Sequence, residues 1–216
     1  WYANQYQRAD VKRPDGFSRY RLLPALLRDS GYHTVMVGKW HLAPDPWNCG
    51  FSEVRTWFPG GSGAYKDLPL AEGKSRERKP TKGFTQEKFA DSAIGFLREA
   101  AGHREPFFLW LAFTAPHTPL GPNPAHIQKL YEGKTRDELI PPGFEGEPRP
   151  RDPNLWNRYY EAISALDEQV GRVLKTLDEE NLTSRTVVVF LGDNGYMMGN
   201  RGVAGKVVPY EGSVRV

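Results

Sequence analysis

Apolar positions recur along the chain in three successive patterns, each a helix followed by a strand. In "RLLPALLRDSG", Leu22, Leu23, Leu26 and Leu27 fall at helical spacing, and Gly31 is the residue type favoured just past a helix C-terminus. "YHTVMVG" then predicts a short buried strand. The second pattern opens at Thr85, a cap candidate for a helix with Phe89, Ala93, Phe96, Leu97 and Ala100 on one face. "PFFLWLAF", residues 106–113, is a continuous apolar run suited to a strand buried on both faces. The third pattern opens at Asp152 and Pro153, an N-cap candidate with proline in the first helical position. Tyr159, Ile163, Leu166, Val170, Val173 and Leu177 follow at alternating steps of four and three, Asn181 is a plausible stop, and "TVVVFLG" predicts the third strand.

This order predicts an α/β fold: a largely parallel sheet flanked by helices, in a single domain over residues 1–216. Glycine and proline dominate from Pro59 to Gly83 without periodicity, so residues 57–83 are expected to form an irregular insertion. Parallel sheets bind ligands in the crevice beyond the carboxyl ends of their strands. All three strands feed unusual loops at that edge: "GKWHLAPDPWNCG", "TAPHTPLGP" and "DNGYMMGNRGVAGK". Their polar residues are expected to converge although they lie far apart in sequence.

Composition changes this picture little. The chain is 39% hydrophobic and 25% charged, ordinary for a soluble globular domain. No apolar run approaches the roughly 20 residues that span a bilayer. A formal net charge of +3 does not argue for nucleic acid, and the basic stretch Lys74–Gly83 reads as a solvated loop. The lone Cys49 excludes an internal disulfide framework. The chain starts without methionine and stops in the apolar alternation of "SVRV", so it reads as an internal piece truncated at both ends.

The loops carry the chemistry. The first offers Lys39 and His41, the second His117, and the third Asp193, Asn194 and Lys206. Asp and Asn oxygens suit a hard cation such as calcium or magnesium, whereas two histidines with a cysteine would suggest zinc. A hard cation with two lysines and two imidazoles makes a site for an oxyanion ester. The cations neutralise nonbridging oxygens and a histidine protonates the leaving oxygen. His33 lies inside the first strand and reads as structural, and His103 and His126 show no partner in the sequence.

"GYHTVMVGKWHLA", "FLWLAFTAPHTPL" and "VVVFLGDNGYMMGNRGVAGKVVPYEGSVRV" resemble, in order and spacing, the motifs of the sulfatase family, within the alkaline-phosphatase-like superfamily. The resemblance covers essentially the whole chain. It implies a sulfuric ester hydrolase acting on a sulfated small molecule or glycan. It gives Asp193 and Asn194 a place in a calcium (or magnesium) site, and Lys39 and His41 contact with the sulfate and a formylglycine nucleophile. His117 takes the place of a general acid that also contacts substrate, and Lys206 that of a second sulfate-binding cation. An exported protein, whether periplasmic, extracellular or lysosomal, is also implied.

The chain departs from that pattern in instructive ways. The family nucleophile lies in a Cys-or-Ser, any, Pro-or-Ala, any, Arg pattern, and no such pattern occurs here. Cys49, in "WNCGFSE", has the wrong context and the wrong order. The paired aspartates that complete the family's metal site are also absent, so the chain alone is expected to be inactive. Ala43 stands where a glycine is common, and Arg201 where related sequences often carry histidine. Two rival readings are a phosphate or phosphonate ester hydrolase of the same superfamily and a non-catalytic glycan-binding relative.

Overall fold

The structure, a computed structural model, describes residues 20–142, 144 and 153–215. A five-stranded mixed sheet forms its centre, built from β1 (His33–Lys39), β2 (Glu53–Phe58), β3 (Leu70–Glu72), β4 (Arg78–Lys79) and β5 (Phe107–Ala112) in the order β4-β3-β2-β1-β5. β1 runs parallel to both β2 and β5, and β3 and β4 add antiparallel to the far side of β2. The sheet around the candidate loops is therefore parallel, as expected, and its antiparallel margin comes from the 57–83 segment. That segment is less irregular than its Gly and Pro content suggests, because the ladder of β2 orders Leu70–Glu72.

Alternation along β1 fills both faces of the sheet. Val35 and Val37 point into one core with Phe58, Leu70, Phe89, Phe96 and Leu97, while Met36 joins Trp40, Cys49, Phe51, Val54 and Trp57 in the other. The first core is covered by α2 (Thr85–Ala101), against which α3 (Leu155–Glu179) packs. The short α1 (Leu23–Asp29) lies beside β1, and its Ala25 presses on Gly50, where any side chain would collide with the Ala25 backbone.

Helix boundaries follow local chemistry with small departures. Gly31 adopts φ 88° just beyond α1 and Asn181 φ 55° just beyond α3, both left-handed conformations that turn the chain out of a helix. Thr85 is the first residue of α2 rather than its cap, and its hydroxyl donates to the Ala64 carbonyl at 2.9 Å. Asp152 lies outside the described residues; α3 begins after Asn154. His126, which has no partner visible in the sequence, pairs with Glu168 on α3 at 2.7 Å.

Two strand expectations are corrected. β5 is not buried on both faces: it is the edge of the described sheet, and Trp110 is 43% exposed. The run "TVVVFLG" forms no strand pairing among the described residues, and Val187, Phe190 and Leu191 are 89%, 74% and 74% exposed. Composition supplies the preference for an extended chain, but a strand exists only as a ladder, and no described neighbour is paired with this one.

Candidate functional site

The first loop is aimed by the end of β1. Gly38 has φ 103° and lies so close to β5 that a methyl group there would sit 2.0 Å from the Ala112 carbonyl oxygen. Only glycine allows that approach, and the β1–β2 register shifts between Met36 and Gly38. Beyond it the chain stays extended: the Trp40 amide donates to the Phe58 carbonyl at 2.9 Å. Trp40 is buried, with its indole NH on the Pro44 carbonyl at 2.7 Å, which leaves Lys39 and His41 together on the opposite side.

The second loop follows β5. Thr114 is buried, its hydroxyl accepts from the Gln86 side chain at 2.7 Å, and its carbonyl accepts from the His117 amide at 3.0 Å. The His117 Nδ1 lies 2.7 Å from the Thr118 carbonyl oxygen. A carbonyl can only accept, so Nδ1 carries the proton and Nε2 is the ring nitrogen left for chemistry.

The third loop turns back on itself. Gly195 packs against the turn at 211–215, where a methyl group would stand 2.4 Å from the Gly212 carbonyl oxygen. A two-stranded ribbon, β6 (Met197–Met198) with β7 (Ala204–Gly205), then returns the chain so that Lys206 donates to Asn194 Oδ1 at 3.5 Å. Val207, next in sequence, holds φ 73°, a left-handed conformation costly for a β-branched residue.

These loops meet. Burial pushes the Lys39 ammonium below its ordinary value, the Asp193 carboxylate opposes that shift, and the Lys206 charge adds to it. Burial also lowers His41, followed by the positive charges of Lys39, His117 and Lys206. Lys39 thus feels Asp193 and Lys206, His41 feels Lys39, His117 and Lys206, and Lys206 reaches Asn194, which joins the six residues into one continuous cluster beyond the end of β1. Positive groups outnumber the single carboxylate, so the cleft is built to receive negative charge.

Asp193 and Asn194 present adjacent hard oxygens, which fit calcium or magnesium chemistry. They would supply two of the roughly six to eight oxygens that calcium takes. Among the described residues no group of three His, Cys, Asp or Glu side chains could hold a metal ion. Cys49 is buried and its thiol is pushed up by burial and by Asp45, so it is not an activated nucleophile. No described helix is long and apolar enough to cross a membrane.

Sequence reasoning missed one neighbour of the cleft. The stretch from Gly60 to Tyr65, inside the 57–83 segment, runs beside both histidines. A methyl group at Gly61 would stand 2.2 Å from His41 Cε1, and the Tyr65 hydroxyl donates to the His117 carbonyl at 2.8 Å. Three glycines in "PGGSGAY" were the available signal, since closely spaced glycines permit close backbone approach.

An α/β sheet whose carboxyl edge gathers two ammonium groups, two imidazoles and an Asp-Asn pair defines a protein shaped around an oxyanion. The chain belongs to the sulfatase family: the family model described as Sulfatase matches residues 3–216. It is 28% identical over 200 residues to an uncharacterized sulfatase, YdeN, of Escherichia coli K12, covering 80% of this chain and 32% of that protein. The fold matches the putative sulfatase yidJ of Bacteroides fragilis with TM-score 0.75 and 25% identity, over 89% of this chain and 47% of that one. It also matches, with TM-score 0.66 and 23% identity, a protein solved with its substrate D-glucosamine-2-N,6-O-disulfate, over 89% of this chain and 53% of that one. The chain thus spans between a third and about half of the proteins it matches.

Proposed function

We propose that the full-length protein is a sulfuric ester hydrolase and that this chain supplies its sulfate-binding cations, its proton donor and part of its metal site. The observation that carries this reading is the convergence of Lys39 and Lys206, from loops 167 residues apart, on one cleft that also holds His41 and His117. Sulfate ester hydrolysis develops charge on the nonbridging oxygens and on the departing oxygen. Lys39 and Lys206 neutralise the former in a partly buried setting, where fixed charges act more strongly than in water.

His117 serves the departing oxygen. With Nδ1–H held by the Thr118 carbonyl, its imidazolium form offers the Nε2 proton to the leaving group. His41, kept neutral by burial and the surrounding cations, accepts a hydrogen bond from the nucleophile or donates one to the sulfate. Asp193 and Asn194 would hold calcium or magnesium. When bound, that cation and a formylglycine nucleophile from outside this chain supply charge neutralisation and the attacking oxygen. A sulfated sugar is the substrate class we favour.

The test is the kcat/KM of full-length protein and its His117→Ala variant on a nitrophenyl sulfate and on a sugar sulfate. A general acid contributes about 10²–10⁴-fold when the leaving oxygen is basic and little when it is already a stable anion. The variant should therefore lose far more on the sugar sulfate. Equal losses would make His117 a sulfate ligand only, and turnover of nitrophenyl phosphate in preference to the sulfate would overturn the substrate assignment.

A further inference from the structure

We propose that Tyr65 is a positioning residue for His117, making the glycine-rich segment 60–65 a working part of the cleft. Tyr65 is 2% exposed and packs with Ala115, Leu120 and Ala162, between the His117 loop and α3. Its own backbone is fixed, because its carbonyl accepts from the Thr85 amide at 2.8 Å at the start of α2. From that anchored place its hydroxyl donates to the His117 carbonyl oxygen at 2.8 Å. Burial pushes its pKa far above the ordinary tyrosine value, so the hydroxyl stays a donor throughout the working pH range.

A second tie lies three residues earlier. The Ser62 hydroxyl donates to the Thr118 carbonyl oxygen at 2.5 Å, the same oxygen that receives His117 Nδ1–H. The two carbonyls that set the backbone and the ring of His117 are thus both held from segment 60–65. Gly61, next to Ser62, lies against the His41 ring, where even a methyl group would overlap the imidazole. One short segment therefore fixes both imidazoles of the cleft relative to α2.

The consequence is geometric. Proton donation requires Nε2 within about 3 Å of the departing oxygen, and a displacement near 1 Å costs on the order of 10²-fold. A hydroxyl that fixes the His117 backbone acts on that distance without touching substrate. The role rests on the proton-donor reading of His117, so the experiment separates the two.

In full-length protein, Tyr65→Phe removes only the hydroxyl and keeps the buried ring. Its kcat/KM on a sugar sulfate should fall about tenfold, with a much smaller loss on nitrophenyl sulfate. In a His117→Ala background the same substitution should add nothing, because the group it positions is gone. Ser62→Ala should show the same leaving-group dependence to a smaller degree. The imidazole ¹⁵N spectrum of His117, read without substrate, should show its Nδ1–H environment altered in both variants. Equal losses on both substrates while His117→Ala keeps its leaving-group dependence, or losses that add to those of His117→Ala, would overturn the positioning role. If His117→Ala itself shows no leaving-group dependence while the spectrum still changes, positioning stands and the proton-donor role falls. An unchanged spectrum in both variants removes the positioning role whatever the kinetics.

Discussion

Lys39 and Asp193 both come after apolar runs that point at the same cleft, yet the two runs are held very differently. β1 is laddered on both sides, by β2 and β5, and Val35, Met36 and Val37 are fully buried. The run at 187–191 has no ladder among the described residues, and all five of its large side chains face solvent. Lys39 is therefore aimed by the core of the sheet. Asp193 is aimed from its C-terminal side, by Gly195 packed on the 211–215 turn and by the β6–β7 ribbon that brings Lys206 back to Asn194. A cleft can thus be assembled from one arm fixed by strand pairing and one fixed by its own loop.

If both arms reach the same anion, Lys39→Ala and Lys206→Ala in full-length protein should each lower kcat/KM by about 10²–10³-fold, the scale for removing one preorganised oxyanion partner. Both should act alike on nitrophenyl and sugar sulfates, because the sulfate oxygens are common to the two. A silent Lys206→Ala would break the comparison at its centre, since the loop-held arm would then not reach the anion.

The contrast in burial has its own consequence for stability. Val37→Ala removes two buried carbons from a packed core and should cost about 2 kcal/mol, counting transfer and the cavity left behind. Val189→Ala, in a side chain that is already 69% exposed, should stay within about 0.5 kcal/mol in the 216-residue chain. Urea unfolding of the two variants against the parent chain gives both figures. Equal costs would show that the 187–191 run is covered in solution.

Much of this was legible in the sequence, and the rest failed for identifiable reasons. Local periodicity was enough for α1, α2, α3, β1 and β5, because each depends mainly on its own apolar spacing and end residues. It was also enough to place Lys39 and His117 on one edge, because alternating helices and strands force parallel strands to empty there, whereas Asp193 reaches that edge by its own loop and not from a described strand. It could not register that "TVVVFLG" would lack a ladder or that β5 would expose Trp110, since pairing belongs to neighbours distant in sequence. Leu70–Glu72 was hidden for the same reason: three residues carry no period, and β2 alone makes them a strand. Tyr65 escaped because nothing near it in the chain announces a bond to a carbonyl 52 positions away.

The smallest expected effect probes whether the two arms meet. His41 is lowered below its ordinary value of 6.5 by burial first, then by Lys39, His117 and Lys206. Its folded pKa therefore lies below its unfolded one. As pH falls through 6.5 the unfolded chain takes up a proton that the folded chain refuses, so this residue's contribution to stability declines until pH reaches the lowered folded value. Below that value the contribution is flat. His41→Gln should remove this component, giving a shallower fall in melting temperature between neutral pH and mildly acidic pH than the parent chain shows. Lys206→Met should reduce the same slope in part, since it deletes one of the cations that press on the imidazole. If His41→Gln leaves the slope unchanged, neither burial nor the surrounding charges act on His41 in solution. If only Lys206→Met leaves it unchanged, the loop-held arm stands away from the β1 arm in solution, and the cleft closes only when an anion or a cation draws the two together.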